Sequence, residues 1–488
     1  MLTASEAAAA VGGRLVGVDG DTPVGRVVTD SRQVLPGAVF AAIKGERADG
    51  HDFAAGARAA GAAFVIAERD LGEVPHLRVD AVVPALGRLA RAHLDRLRET
   101  GGLTVIGVTG SVGKTTTKDL LARLAAAHGP TVAAAGSFNN DIGLPLTVLG
   151  ATEETRYLVL EYGANHVGEI AHLTAIAPPD VALELAVQPA HLGEFGSIEA
   201  IARTKAELLA ALPEGGTAVL NADDPRVIGM PLPAGRGVRR LTFSGTGPAD
   251  VRATRVETDR LGRVALDLEG PDGQTAHLVS GLIGRHHQGN LLAAVTAGVA
   301  LGWPLQDSAR ALGGVTPDSP HRMALFVLDS GGLLLDDSYN ANPTSMGAAL
   351  ATLAGLGHST GRRTLAVIGD MLELGPAAFE AHREAGLRAA RLGIDEILAV
   401  GEFSAAVQEG ARIGGLADIH LMQARDAEAA RAALAAGDLS RTITLVKGSN
   451  GTGLWRVAAA LEAAGHAAGP DEELTRPGDR PTDQPTGR

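Results

Sequence analysis

Short apolar runs broken by glycine-rich turns alternate, along most of the chain, with stretches of helical period. Residues 103–108 form the first clear run and predict a buried strand, followed by a glycine-rich turn and a helix over about 114–127. Strand-like runs recur at 157–161 and 181–187. Ile198, Ile201, Leu208, Leu209 and Leu212 recur at helical spacing and define a helix over 197–212. Strands alternating with helices imply a parallel sheet covered on both faces. Residues 252–279 read instead as short strands and turns, either a hairpin or an edge extension of that sheet. A helix over about 290–302 leads into the Pro/Gly-rich stretch 302–320, which reads as a linker and a hinge for domain closure. Beyond it, strands at 333–337, 364–370, 396–400, 419–422 and 442–447 predict a second doubly wound unit. The first 98 residues read as a separate small α/β segment. From about Gly469 the Pro/Asp/Thr/Gly-rich chain carries too little apolar surface to order itself.

Composition narrows the function classes. The 488 residues are 45% hydrophobic and 20% charged, enough for several packed cores, and only 3% aromatic, so those cores rest on Ala, Val, Leu and Ile. Lys and Arg number 43 against 56 Asp and Glu, a net charge of −13, which argues against nucleic-acid binding through phosphate contacts. The absence of cysteine excludes disulfides, zinc–thiolate sites and thiol nucleophiles. No basic segment followed by an apolar core opens the chain, and no run approaches the ~18–20 apolar residues of a membrane helix. The expectation is a soluble cytoplasmic protein without membrane insertion.

The strongest chemical signal is Thr109-Gly110-Ser111-Val112-Gly113-Lys114-Thr115-Thr116. A strand, a glycine-containing loop and Lys-Thr opening a helix form a phosphate-binding loop, whose backbone N–H groups surround the phosphates while the next hydroxyl reaches Mg²⁺. The general pattern places a further glycine where Val108 stands, so a plain glycine-rich turn is the competing reading. Glu161 ends an apolar strand at the end where open α/β sheets bind ligands; it suits a Mg²⁺ ligand or a solvated cap. His191 follows the next strand and approaches the same crevice, or is structural. Lys205 falls four residues after Ile201 and three before Leu208, on the inward stripe of its helix. There it either pairs with an acid or, as a low-pKa amine, reacts with CO₂ to give a metal-binding carbamate.

The ordered series of the loop at 109–118, the strand end at 160–166, Pro189-Ala190-His191, Thr204-Lys205-Ala206-Glu207, Gly284-Arg285-His286 with Asn290, the segment 336–346, 369–375 and Lys447-Gly448-Ser449 resembles the Mur ligases. The resemblance covers most of residues 1–465 and is strongest to the D-alanyl-D-alanine-adding branch, through Asp30-Ser31-Arg32, the segment 44–53, the segment 136–143 and the loop 340–343. It implies an α/β fold in three domains. These are a small N-terminal UDP-sugar-binding domain (1–98), a central P-loop ATPase-like parallel sheet (99–315) and a C-terminal Rossmann-like doubly wound sheet (316–466), with a disordered tail (467–488). It implies ATP and two Mg²⁺ ions as cofactors. Lys114 would bind phosphates, Thr115 and Glu161 one Mg²⁺, and His191 with a carbamylated Lys205 the second. Asn290, Arg322, Asp337, Asn340 and Asn342 would contact the nucleotide, and Ser31, Arg32, Lys44, Asp49, Gly50, His51, Asn139 and Asn140 the UDP-linked substrate. It further implies a monomer that joins D-alanyl-D-alanine to a UDP-N-acetylmuramoyl tripeptide through an acyl phosphate; the alternative is another Mur or folylpolyglutamate-synthetase-like amide ligase acting on a different acceptor. One departure stands out: Leu185-Ala186-Val187-Gln188 lacks the asparagine usual before Pro-Ala-His.

Overall fold

The computed structural model describes residues 2–45, 48–189 and 195–469, which build three sheets. The first has five strands in the order Arg14–Val16, His76–Arg78, Phe64–Ala67, Val39–Ala41, Val27–Val28, parallel except at its first pair. Helix Val82–Thr100 leaves this unit with Ala85, Leu86, Leu89, Leu94 and Leu97 buried at i, i+3, i+4 spacing. Its first half packs into the N-terminal core, and its second half, from Ala90 on, packs into the next one, so a single helix couples the two.

The central sheet has nine strands. Thr131–Ala133, Tyr157–Glu161, Thr104–Thr109, Val181–Glu184, Thr217–Asn221, Arg239–Ser244 and Val251–Thr258 lie parallel in that order. Arg263–Glu269 and Thr275–Ile283 then continue the edge antiparallel, so the stretch read as a hairpin or an edge extension is an extension made of hairpins. Helices cover both faces: Leu120, Leu121 and Leu124 from one side pack with Leu291, Leu292 and Val295, while Ile201, Leu208 and Leu209 close the other. Two elements differ from expectation. The run at 181–187 is strand only to Glu184, because the chain then turns past the phosphate loop, where Ala186 O accepts from Ser111 N. The Pro/Gly-rich stretch 302–320 contains a helix, Leu305–Ala311, whose Leu305 and Ala309 enter the central core. Gly314 N and Val315 O bond to Val279 O and Gly281 N, so this segment is part of the domain rather than a free linker.

The third sheet has seven strands. Leu421–Ala424, Glu396–Val400, Arg363–Ile368, Thr442–Lys447 and Leu333–Asp337 run parallel, and Ala324–Leu328 and Gly465–Ala467 add antiparallel at one side. The strand expected at 419–422 starts later, since Asp418–His420 is a turn of 3-10 helix. The expected tail boundary at 467 is also displaced, because Ala467 pairs with Phe326; the expected disorder of 470–488 lies outside the described residues. Leu261 and Ile283, from the central domain's antiparallel edge, bury in the same cluster as Leu353 and Leu356 of the third unit. Asp337 and Lys447, at the C-terminal ends of two of the third sheet's strands, line one cleft with residues 111–116 of the central domain. Among the described residues no helix is long and apolar enough to cross a membrane.

Candidate active site

The phosphate loop joins strand Thr104–Thr109 to helix Lys114–Ala126. Val108, where the general motif has glycine, is fully buried inside the strand and pairs with Glu161 and Leu183, so the loop proper begins only after Thr109. Thr109 Oγ1 donates to Tyr162 O at 2.7 Å, and Ser111 N donates to Ala186 O at 2.8 Å, which ties the loop to both neighbouring strands. Gly113 has φ +83°, and a Cβ there would sit 2.4 Å from Asn290 Oδ1. Gly113→Ala is therefore expected to cost about 1–3 kcal/mol and to weaken ADP binding; thermal unfolding with and without ADP measures both.

Lys114 Nζ donates to Gly110 O at 3.0 Å. Burial first, and then the Arg322 guanidinium, push its pKa down, while Glu161 opposes them. Glu161 is 1% exposed; its Oε1 accepts from Asn139 Nδ2 at 2.7 Å and its Oε2 has no partner. Lys118, fully buried, donates to Ala134 O and Gly136 O and so holds the segment that carries Ser137. Across the cleft, Arg322 Nη2 donates to both Thr115 Oγ1 and Ser137 Oγ at 3.1 Å while its guanidinium lies 4.1 Å from the Tyr339 ring. Arg322 thus spans from the third unit to the phosphate loop.

These groups line a cleft of about 960 Å³. Ser111 through Thr116, Asn139, Asn140, Glu161, Asn290, Arg322, Asp337, Asn340 and Asn342 all contribute to its wall. Thr109, Gly110 and Lys205 lie behind it. Lys205 is 4% exposed on the buried face of helix Ile198–Ala210, which Ser197 caps. Burial, then the Lys114 charge, push its pKa down to about 7, against Glu184 and Glu161. His191 lies outside the described residues. The other N-terminal candidates, Ser31, Arg32, Lys44, Asp49, Gly50 and His51, are not brought to the cleft. His51 uses both ring nitrogens internally, Nδ1 with Asp49 at 2.6 Å and Nε2 accepting from Glu68 N at 2.9 Å, and Arg32 is a largely exposed partner of Asp30.

Several side chains read as ligand contacts have structural partners too. Asn342 caps helix Pro343–Thr360 by accepting from Ser345 N, and Asn140 accepts from Gly143 N. Asp337 accepts from Lys447 Nζ at 2.5 Å, and Lys447 also donates to Asn340 O at 2.9 Å. The roles of Ser137, Tyr339 and Lys447 were not read from the sequence. For Lys447 a signal existed: a lysine closing the apolar run 442–447.

A second cluster stands where the chain crosses into the third unit. His321 and Met323, on either side of Arg322, have φ of +60° and +55°. His321 Nδ1 bonds Asp336 Oδ2 at 2.5 Å, and ligand atoms of His321, Asp336 and Glu462 lie within 4.8 Å of one another. The hydrogen bond to Asp336 raises the His321 pKa; burial, then Asp336, raises Glu462 to about 7. Both folded values exceed the ordinary ones, so the stabilisation is fully present below those ordinary values and is lost as pH rises through the folded values. Glu462→Gln keeps a donor for Asp336 without a charge. The melting temperature of the native protein is expected to fall relative to this variant between about pH 4.5 and pH 7.5; parallel curves by differential scanning fluorimetry would contradict this.

A phosphate loop, an acid at the end of the neighbouring strand, a buried lysine and an arginine reaching in from a second α/β unit define a nucleotide-dependent transferase or ligase cleft. The comparisons make it particular. Residues 23–93 match the catalytic domain of the Mur ligase family, 108–298 the Mur ligase middle domain, and 321–450 the Mur ligase glutamate ligase domain. The chain belongs to the Mur ligase family, ATP-dependent enzymes that form amide bonds. It is 42% identical to the UDP-N-acetylmuramoyl-tripeptide–D-alanyl-D-alanine ligase of Mycobacterium bovis, covering 95% of this chain and 98% of that one. It is 36% identical to the ligase of the same name from Escherichia coli, with 95% and 99% covered. Among solved structures, MurF from Acinetobacter baumannii aligns with a TM-score of 0.82 at 33% identity, covering 95% of this chain and 99% of that one. MurF from Thermotoga maritima in complex with ADP aligns at 0.75 and 30%, covering 91% and 98%.

Proposed function

We propose that this chain joins D-alanyl-D-alanine to the terminal carboxylate of a UDP-N-acetylmuramoyl tripeptide at the expense of ATP, a step of peptidoglycan precursor synthesis. The observation that carries the reading is the cleft itself, in which Lys114 and Arg322 bring two cations from separate domains to one phosphate loop. Relatives named for this reaction cover nearly the whole chain and support it. The reading includes the division into domains at 1–98, 99–315 and from 316 through the strand Gly465–Ala467, a cytoplasmic location and a monomer.

A carboxylate is a poor acyl donor because oxide is a poor leaving group. In the first step a carboxylate oxygen bonds to the γ-phosphorus of ATP, the bond to the bridging oxygen breaks, and ADP leaves. In the second the amine of D-alanyl-D-alanine attacks the acyl carbon, loses a proton, and expels inorganic phosphate. Both steps bring anions together, and Lys114 and Arg322 lower that repulsion in the cleft. Glu161 Oε2, buried and without a partner, fits a cation, so Thr115 and Glu161 would hold one Mg²⁺. Bound there, Mg²⁺ supplies charge neutralisation for the β- and γ-phosphates. His191 and Lys205 would hold the second. Lys205 has the chemistry for a carbamate: its neutral amine bonds to the carbon of CO₂, one C=O opens to a carboxylate oxygen, and the nitrogen releases a proton. Asn290, Asp337, Asn340 and Asn342 form the nucleotide wall, and Asn139 and Asn140 the substrate side, with the N-terminal unit holding the UDP-sugar through Ser31, Arg32, Lys44, Asp49, Gly50 and His51.

Tripeptide substrate labelled with ¹⁸O in its terminal carboxylate tests the order of bond making. The label is expected to appear in the released phosphate. Unlabelled phosphate would exclude the acyl phosphate.

A further inference from the structure

Glu184 ends the strand Val181–Glu184, beside Thr109 on one side and Leu220 on the other. Side chains alternate across a strand, so Leu183 and Leu185 enter the core under helix Lys114–Ala126, while Ala182 joins Ile201 and Leu208 on the opposite face. Glu184 shares the face of Ala182 and therefore looks toward the helix that carries Lys205. It is fully buried, and neither of its carboxylate oxygens has a hydrogen-bond partner. Apolar residues fill the rest of this strand. An acid kept here without any partner is costly to the fold unless something that binds carboxylates comes to it.

Its surroundings say what that is. Glu161 stands two strands away at the same end of the sheet, also with one buried oxygen unpartnered. The Ala186 side chain, beyond the strand's end, is apolar, so Glu184 is the group this strand presents toward the helix of Lys205. Burial pushes Glu184 well above the usual carboxylate range, with Lys205 opposing and Asp224 adding to the shift.

We propose that Glu184 is a further carboxylate ligand of the divalent cation on the Lys205 side of the site. The proposal rests on the second-cation reading given above. A divalent cation between this carboxylate and the Lys205 helix gives the two unpartnered oxygens the partner that the strand and its neighbours do not supply.

The test uses the full-length protein, native and Glu184→Gln, with a readout other than turnover: Mn²⁺ binding in the presence of ADP, followed by electron paramagnetic resonance. The native protein is expected to bind Mn²⁺ at two sites, and in Glu184→Gln the affinity of one of them is expected to fall by about tenfold or more. Two sites of unchanged affinity in the variant overturn the ligand role. A single Mn²⁺ site in the native protein overturns the second-cation reading and this proposal with it. Glu184→Met, apolar and suited to a buried position, provides the same Mn²⁺ comparison if the glutamine variant folds poorly.

Discussion

Replacing Lys114 with methionine is expected to lower kcat/KM by a factor of about 10²–10³ while the protein remains folded. Lys114 is half-buried in the cleft wall near the Arg322 charge, and desolvation already depresses its pKa, so removing it relieves the fold of a costly charge. In the reaction the balance reverses. A γ-phosphoryl group and an attacking carboxylate approach each other in the cleft, and a fixed cation there is worth far more than in water. Loss of one such contact in a preorganised site costs about 3–4 kcal/mol, and each 1.4 kcal/mol is about tenfold in rate. Steady-state kinetics with varied ATP, together with a thermal melt, separate the two effects. A kcat/KM within tenfold of native would mean that the loop does not hold the reacting phosphates.

The second large effect is on stability. Lys447 is 1% exposed and ends the strand Thr442–Lys447, where its ammonium binds Asp337 and the carbonyl of Asn340. Lys447→Met leaves the Asp337 carboxylate without its cation and frees the loop 340–343. Breaking a buried pair from one side costs about 3–5 kcal/mol. Asp337 keeps 14% of its side-chain surface in solvent, which lowers the expectation to about 2–4 kcal/mol. For a domain of this size that is a fall in melting temperature of about 4–16 °C. An unchanged melting temperature would show that solvent fully compensates Asp337. The double variant Lys447→Met, Asp337→Asn should recover part of the loss, because no charge is then left unpaired.

How far the sequence discloses this molecule depends on the kind of signal. Where a local rule and a chemical need coincide, it reads clearly. Gly110 and Gly113 with Lys114 predict the phosphate loop, and the placement of Lys205 between Ile201 and Leu208 predicts its burial. Where composition stands in for packing, it misleads. Residues 302–320 look like a linker because prolines and glycines crowd there, yet Leu305 and Ala309 are enough to dock a helix of seven residues. The strand end at 184 is hidden for a related reason: the apolar run continues to Val187, and only the loop's hydrogen bond to Ala186 O shows where pairing stops. Side-chain partners across domains are not legible at all from local pattern. Arg322 sits 207 positions from Thr115, and nothing in either neighbourhood points to the other. The signal for Glu184 was present, a charged residue inside a run of buried apolar ones, the same kind of anomaly as Lys205 on its inward stripe.

The measurement that bears most directly on the proposed reaction is phosphate release by the purified protein with Mg²⁺-ATP and a UDP-N-acetylmuramoyl tripeptide, with and without D-alanyl-D-alanine, and mass spectrometry of the products. Release that requires both substrates, with a UDP-N-acetylmuramoyl pentapeptide as product, is the expected result. Release that proceeds equally without D-alanyl-D-alanine, or that yields no new peptide, would contradict it.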